Sequence, residues 1–317
     1  MKDWLILIRL QGAGIGVILP IIPYLMVTHG VPSLWGLISF GIFGLLVQAL
    51  GMADNQVADY PYDMLDPNKR HFPLVAGKIR PRDADLFVKF LLVLVVVYGG
   101  LLARGDWKAL LFLLVSALSG LLYNHYNKTK LWKPIPLAVC FSTIPMYIYY
   151  SMGIEPTIFL LLPVLYVFIY MVYQVGVTGE LKDLETSERS FTKTLGARLE
   201  GGYFFSTPGL LAYSISLKVL NLLVALVIAS ITGALVESIL LSALIVVAMG
   251  QSLRNGRWER ESRLRSMLSV ELLSYWLFLV SIWPVIGALE ALLIMILPIF
   301  LAVPVNMLLY GDIWPRF

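Results

Sequence analysis

Asn55, Asp59 and Asp63 form an N-x-x-x-D-x-x-x-D pattern directly after an apolar stretch. On a helix these positions are i, i+4 and i+8, so all three side chains project from one face. Two carboxylates and an amide supply hard oxygen donors. That set suits Mg²⁺, which is commonly held by one or two carboxylates together with substrate phosphates. Acids at the end of a membrane segment are costly unless they bind something. The chemistry implied is that of a metal-held pyrophosphate, in which a cation stabilises the charge growing on a leaving group.

A second acidic patch lies four apolar segments later, in the stretch 179–196. There Glu180 and Asp183 stand at i and i+3, while Glu185 and Glu188 fall on other faces. Were the two patches to meet, Asn55, Asp59, Asp63, Glu180 and Asp183 would form an oxygen-rich cup for one or two Mg²⁺ ions. Lys69 and Arg70 follow the first patch and Lys193 the second, with Lys128 or Lys130 on a loop between them. These cations would complete the charge balance of a bound pyrophosphate. The aromatic faces of Tyr60, Tyr62, Tyr123, Tyr126 and Tyr173 offer shielding for a cationic intermediate. Each basic residue also has a plainer reading, since every cytoplasmic loop of a membrane protein needs some. Asp54, Asp66 and Asp83 read as solvated loop acids. His71 and His125 read as loop residues without chemistry, and Arg254 to Arg265 as a face for lipid headgroups.

The elements that must carry these residues are membrane helices. The chain has 317 residues, 59% hydrophobic and only 14% charged, with mean hydropathy +0.81. A soluble domain would carry about 25% charged residues. Apolar runs long enough to span a bilayer fall at 10–28, 33–53, 84–103, 107–123, 134–151, 156–177, 209–232, 234–251, 268–287 and 289–309. The last two are separated by almost nothing, so the pattern predicts nine membrane helices, or ten if 289–309 stands alone. Lys218 intrudes on the tract that ends at Thr232, which makes it the weakest of the set. The expected fold is an all-α polytopic bundle around a central cavity, one domain over 1–317 with 289–317 as a C-terminal addition.

Charge alternates along the loops. Lys69, Arg70, Lys78, Arg80 and Arg82 occupy one loop, Lys128, Lys130 and Lys133 the next but one. Lys182, Arg189, Lys193 and Arg198 follow, then Arg254, Arg257, Arg260, Arg263 and Arg265. The intervening loops hold only Arg104 and Lys108. The positive-inside rule puts the four basic loops, both acidic patches and both termini in the cytoplasm of a multi-pass cell-membrane protein. Trp107, Trp132 and Tyr150 sit near segment ends, as interfacial anchors do. The net charge of +4 follows from the topology and does not indicate nucleic-acid binding. The first apolar segment is too long, and lacks a small-residue cleavage site, to be a cleaved leader. Cys140 is the only cysteine and reads as a packed apolar residue, so no intrachain disulfide forms. His29, His71 and His125 are scattered, without zinc spacing.

From Arg9 to about residue 288 the chain resembles the UbiA superfamily of intramembrane prenyltransferases. Four elements carry the resemblance. The first is the complete motif Asn55, Asp59, Asp63. The second is Asp66-Pro67-Asn68-Lys69-Arg70-His71-Phe72-Pro73-Leu74-Val75-Ala76-Gly77, similar to the family's basic stretch ending in Pro-Leu and Gly. Tyr123 through Lys128 resembles a Tyr-x-x-x-x-Lys element. Glu180 and Asp183 with Lys193-Thr194-Leu195-Gly196 resemble the second acidic motif and its tail.

The resemblance implies Mg²⁺-dependent transfer of a polyprenyl group from an allylic pyrophosphate, such as geranylgeranyl pyrophosphate. The acceptor would be an aromatic or quinone precursor or an isoprenyl glycerol phosphate, and the prenyl tail would lie in an apolar channel. Asp59, Asp63, Asp183 and Lys128 would be catalytic. Asn55, Asp59, Asp63, Glu180 and Asp183 would hold metal, and Asn55, Lys69, Arg70, Tyr123, Lys130 and Lys193 would bind substrate. A terpene cyclase on the same fold and a polyprenyl-phosphate phosphoribosyltransferase are the alternatives. An ion-coupled transporter is more remote, because such proteins place their acids near the bilayer midplane.

Two departures stand out. Pro61 falls inside the first motif and is expected to end or kink the helix near Tyr60, leaving Asp63 on an extended turn. Ser187 occupies a position that usually carries an Asp. If Ser187 stands beside the metal, Ser187→Asp changes the Mg²⁺ concentration giving half-maximal turnover. An unchanged Mg²⁺ titration would mean that the side chain points elsewhere.

Overall fold

The computed structural model describes residues 1–65, 69–126, 132–182, 184, 190–257 and 259–311. The chain divides into two compact units. The first comprises Met1–Tyr126, Thr143–Pro156 and Ile286–Phe317, the second Asn127–Ser142 and Thr157–Val285.

The first unit opens with a short helix α1 (Lys2–Leu7) and a 3₁₀ turn at Leu10–Gly12. There follow α2 (Ala13–Val27), α3 (Leu34–Asp63), α4 (Pro81–Leu102) and α5 (Trp107–Tyr126). Helix α6 (Pro134–Ser151) begins in the second unit and ends in the first. The second unit continues with α7 (Ile158–Tyr173), which runs into a π-helical turn at Gln174–Gly179 and the short α8 (Glu180–Lys182) and α9 (Phe191–Thr194). Then come strands β1 (Arg198–Glu200) and β2 (Tyr203–Phe205), helices α10 (Pro208–Thr232) and α11 (Leu235–Ser252), strand β3 (Gly256–Arg257) and α12 (Arg260–Ile286). Helix α13 (Ala288–Tyr310) returns to the first unit, where it packs on α2 and on the 3₁₀ turn.

Nine helices of the described residues are long and apolar enough to cross a membrane, and α6 adds an apolar helix of 18 residues. Every apolar run read from the sequence is a helix, and the run at 289–309 is separate. Gly287, at φ 99°, breaks α12 from α13 in a backbone conformation that L side chains rarely adopt. The fold is all-α and polytopic. Helices dominate because no water is present in a bilayer core to satisfy peptide groups, which must therefore pair within each segment.

Burial runs in stripes. Along α4, Ala84, Val88, Leu91, Val95 and Gly99 are buried, while Leu86, Phe90, Val93, Val97 and Leu101 are exposed. Exposed leucines on a helix this apolar form a face suited to lipid rather than water. Helices α2 and α3 make the closest approach in the first unit. A Cβ on Gly44 would collide with the Gly16 carbonyl oxygen and lie 2.9 Å from Pro20 Cγ. Small residues are what allow helix backbones to approach this closely in membranes. At the start of α3, Ser33 caps the helix by accepting from Gly36 N–H (3.0 Å). The Tyr24 hydroxyl accepts from Ser33 N–H at 3.0 Å, which fixes the turn from α2 into α3.

The sequence reading contained no strand. The structure forms a small antiparallel sheet in the order β1-β2-β3, with Leu199 opposite Phe204 and Phe204 opposite Gly256. Gly201 and Gly202, both at positive φ, make the two-residue turn between β1 and β2. A Gly-Gly pair flanked by short apolar runs is a hairpin signal, and the sequence carried it.

Gly44→Leu should destabilise the α2–α3 contact by about 1–3 kcal/mol. Thermal unfolding of the detergent-solubilised protein, followed by tryptophan fluorescence, should show a lowered midpoint. An unchanged midpoint would mean that the two helices separate without cost.

Candidate functional site

The first acidic motif lies on one helix. α3 is 30 residues long and does not stop at Tyr60. It passes through Pro61 to Asp63, and Met64 N–H closes onto Tyr60 O at 3.1 Å. This corrects the expectation of a break. Pro61 forfeits one backbone bond within three residues of the helix end, too late to undo it. Asn55, Asp59 and Asp63 therefore keep their i, i+4, i+8 alignment.

Both acids of this face are withdrawn from solvent, Asp59 at 7% and Asp63 at 4% exposure. Asn55 is half-buried and donates from Nδ2 to Asp59 Oδ2 (3.3 Å). Lys69, beyond the helix end, donates from Nζ to Asp63 Oδ1 at 2.7 Å. The predicted ligand face and one predicted cation are thus brought together. Arg70 is exposed, and Tyr60 and Tyr123 are half-buried.

Asp54 is a second correction. It is buried, at 3% exposure, and is no solvated loop acid. Asn124 on α5 donates from Nδ2 to Asp54 Oδ2 (2.7 Å) and to Gly51 O (3.2 Å). His125 Nε2 stands 3.8 Å from Asp54 Oδ1. These bonds tie α3 to α5 one residue before the motif begins, and Tyr123 is the immediate neighbour of Asn124. Gln56 anchors the next position, donating from Nε2 to Ile6 O (3.2 Å) and Leu7 O (2.7 Å) of α1. None of these anchoring contacts was read from the sequence. The only signal available was that two further polar residues, Asp54 and Gln56, flank Asn55 at the end of a largely apolar helix.

In the second unit, Glu180 is 2% exposed. Its Oε2 accepts from the backbone N–H of Phe191 (2.8 Å), at the start of α9, and its Oε1 is ion-paired with Lys133. The loop-charge pattern accounts for Lys133 only as a topology residue, and the structure adds this ion pair. Lys193 is exposed on α9, whose N-cap Ser190 accepts from Lys193 N–H at 3.2 Å. Asp183, Lys128 and Lys130 lie outside the described residues, as do Glu185, Ser187 and Glu188.

Among the described residues no three His, Cys, Asp or Glu side chains converge as a complete metal cluster. The α3 face nevertheless fits a hard divalent cation. Its donors are oxygens and its two carboxylates are nearly dry, which suits a hard cation.

These features define an α-helical integral membrane protein with an acidic, oxygen-bearing helix end. The sequence matches the model of the UbiA prenyltransferase family over residues 17–276. The chain belongs to that family and is a membrane enzyme of the prenyltransferase class. Solved structures share the fold at low identity. One is described as a digeranylgeranylglyceryl phosphate synthase, with TM-score 0.63 and 19% identity, covering 91% of this chain and 98% of that one. Another is an apo UbiA homolog from Aeropyrum pernix K1, with TM-score 0.59 and 17% identity, covering 87% and 97%. A third is a UbiA homolog from Archaeoglobus fulgidus bound to DMAPP and Mg²⁺, with TM-score 0.52 and 18% identity, covering 98% and 99%. None of the curated proteins matches by sequence.

Asn124→Ala should leave the Asp54 carboxylate buried without its closest donor and cost about 1–3 kcal/mol of stability. A double-mutant cycle with Asp54→Ala, read by denaturant unfolding in detergent, should give a coupling above about 0.5 kcal/mol. Purely additive effects would remove Asp54 from any role in joining α3 to α5.

Proposed function

We propose that the protein transfers a polyprenyl group from an allylic pyrophosphate to a small aromatic or lipidic acceptor, in a reaction that requires Mg²⁺. The observation that carries this reading is the continuous helical face of Asn55, Asp59 and Asp63 with Lys69 against it. When bound, Mg²⁺ offsets the charge that builds on the pyrophosphate as it departs.

Asp59 and Asp63 are the metal ligands, with Asn55 completing the face and holding Asp59 in place. Lys69 and Arg70 meet the pyrophosphate oxygens. Lys69 is pre-positioned by Asp63, so the cation is in place before the donor arrives. Lys128, Lys130, Lys193 and Tyr123 are assigned to substrate. Glu180 and Asp183 would form a second acidic set able to hold metal, with Lys133 paired to Glu180 in its absence. Heterolysis leaves a carbocation on the prenyl group, and the acceptor's nucleophile closes the new bond with loss of a proton. Half-buried Tyr60 and Tyr123 are suited to shield that cation.

The acidic face and the basic loops are read as cytoplasmic, from the loop charges. Acceptors of two classes fit the reading, a quinone precursor and an isoprenyl glycerol phosphate. The structural likeness to a digeranylgeranylglyceryl phosphate synthase brings the second forward.

The test is pyrophosphate release by the purified protein from geranylgeranyl pyrophosphate, with Mg²⁺ or EDTA, across acceptors of both classes. Release that needs metal and one acceptor is the expected result. Release without any acceptor would point to cyclisation. Asp59→Ala and Asp63→Ala should each lower turnover by about 10²-fold or more while the protein remains folded by circular dichroism. Activity that survives both changes would sink the metal assignment.

A further inference from the structure

The second unit buries a charged cluster that the proposed reaction does not use. Lys218, near the middle of α10, is fully buried. Its Nζ donates to Ser274 Oγ at 3.1 Å and lies 3.8 Å from the centroid of the Tyr173 ring. Ser274 in turn donates to Val270 O (2.7 Å). Glu271, one turn earlier on α12, is 7% exposed. Its Oε1 accepts from Thr178 Oγ1 at 2.7 Å. Tyr166 on α7 donates to Ser274 O (2.6 Å), and Asn221 on α10 donates to Tyr166 O (3.1 Å). An ammonium and a carboxylate buried among apolar side chains are both expensive.

A polar staple for three helices would explain the Tyr166, Asn221 and Ser274 bonds. It does not explain why the Glu271 carboxylate also reaches Thr178. Thr178 belongs to the π turn Gln174–Gly179, and the residue after that turn is Glu180. π turns are rare and recur at functional sites. Each carries an extra residue, which rotates all that follows by about 100° relative to the preceding helix. The turn also packs tightly. A Cβ on Gly176 would lie 2.9 Å from the Tyr213 hydroxyl and 3.3 Å from Pro134 Cγ. A charge-assisted bond is roughly twice as strong as a neutral one, and it falls on the segment whose phase fixes where Glu180 points.

We infer that Glu271 and Lys218 are positioning residues for the second acidic segment. Glu271 holds the π turn through Thr178, and Lys218 braces the same stretch of α12 through Ser274. The phase set by the turn presents Glu180 to Lys133 and to the start of α9. The inference rests on the proposed function in one respect, that the segment after the turn serves a metal-dependent reaction.

The test uses the full-length protein in detergent or nanodiscs. Thr178→Val removes the donor and leaves both charges in place, so it is the variant least able to unfold the protein. Glu271→Gln paired with Lys218→Met removes both charges together. Thr178→Ser restores the hydroxyl. Two readouts are taken: the Mg²⁺ concentration for half-maximal pyrophosphate release, and hydrogen–deuterium exchange of peptides from 179–196 against peptides from α10 and α12.

Thr178→Val and the double variant should raise the Mg²⁺ requirement by roughly tenfold and speed exchange in 179–196 alone. Thr178→Ser should return both to wild type. Unchanged exchange in 179–196 overturns the inference. Faster exchange spread over α10 and α12 with an unchanged Mg²⁺ requirement also overturns it and leaves a simple staple. If the wild type releases no pyrophosphate from any donor, the prenyl-transfer reading fails, and the exchange data still decide whether the cluster holds the segment.

Discussion

A carboxylate taken out of water must be matched on the spot by a cation or by donors, and the rest of this structure is arranged around that constraint. The described part of the chain buries several acids among apolar helices and matches them in different ways. Asp63 has the Lys69 ammonium, Asp54 the Asn124 amide, Glu180 both Lys133 and the Phe191 N–H, and Glu271 the Thr178 hydroxyl. The kind of match separates the roles. An amide or hydroxyl from a packed helix is a fixed partner. Lys69 comes from the segment after its helix and Lys133 from the turn before α6.

The α3 face depends on helix continuity over its last turn. Without it, Asp63 would leave the line of Asn55 and Asp59. Two features protect the line. Pro61 sits so near the end that only one backbone bond is lost. Upstream, Asp54 and Gln56 tie the helix to α5 and to α1, which fixes its rotation about its own axis. The motif residues therefore do not hold the line alone. Their non-motif neighbours share in it, through the bonds of Asp54 and Gln56 to other helices.

The helices were legible in the sequence because bilayer thickness demands apolar runs of fixed length, and α6 and α13 fall almost where those runs predict. The α3 motif was legible because helical periodicity alone sets its geometry. Asp54 was misread because its burial comes from a helix seventy residues away, and no local pattern encodes that. Glu180 was found as an acid, but its partners Lys133 and Phe191 are 47 and 11 residues distant and were not. The small sheet escaped because its strands are two or three residues long, inside a loop read for charge.

The π turn marks the deeper limit of a periodicity argument. Placing Glu180 on a given face of the helix that begins as α7 assumes an unbroken 3.6-residue repeat leading into it. From α7 that repeat would put Glu180 about 100° away from where the structure has it, since Gln174–Gly179 adds a residue to the winding. No residue in Gln-Val-Gly-Val-Thr-Gly announces such a turn. It forms because Gly176 admits close neighbours and because Thr178 meets a charged partner from α12, far along the chain. A long-range buried charge thus sets the phase of a local element. The second acidic segment differs from the first in this respect, because the first takes its phase directly from α3, the helix that carries it.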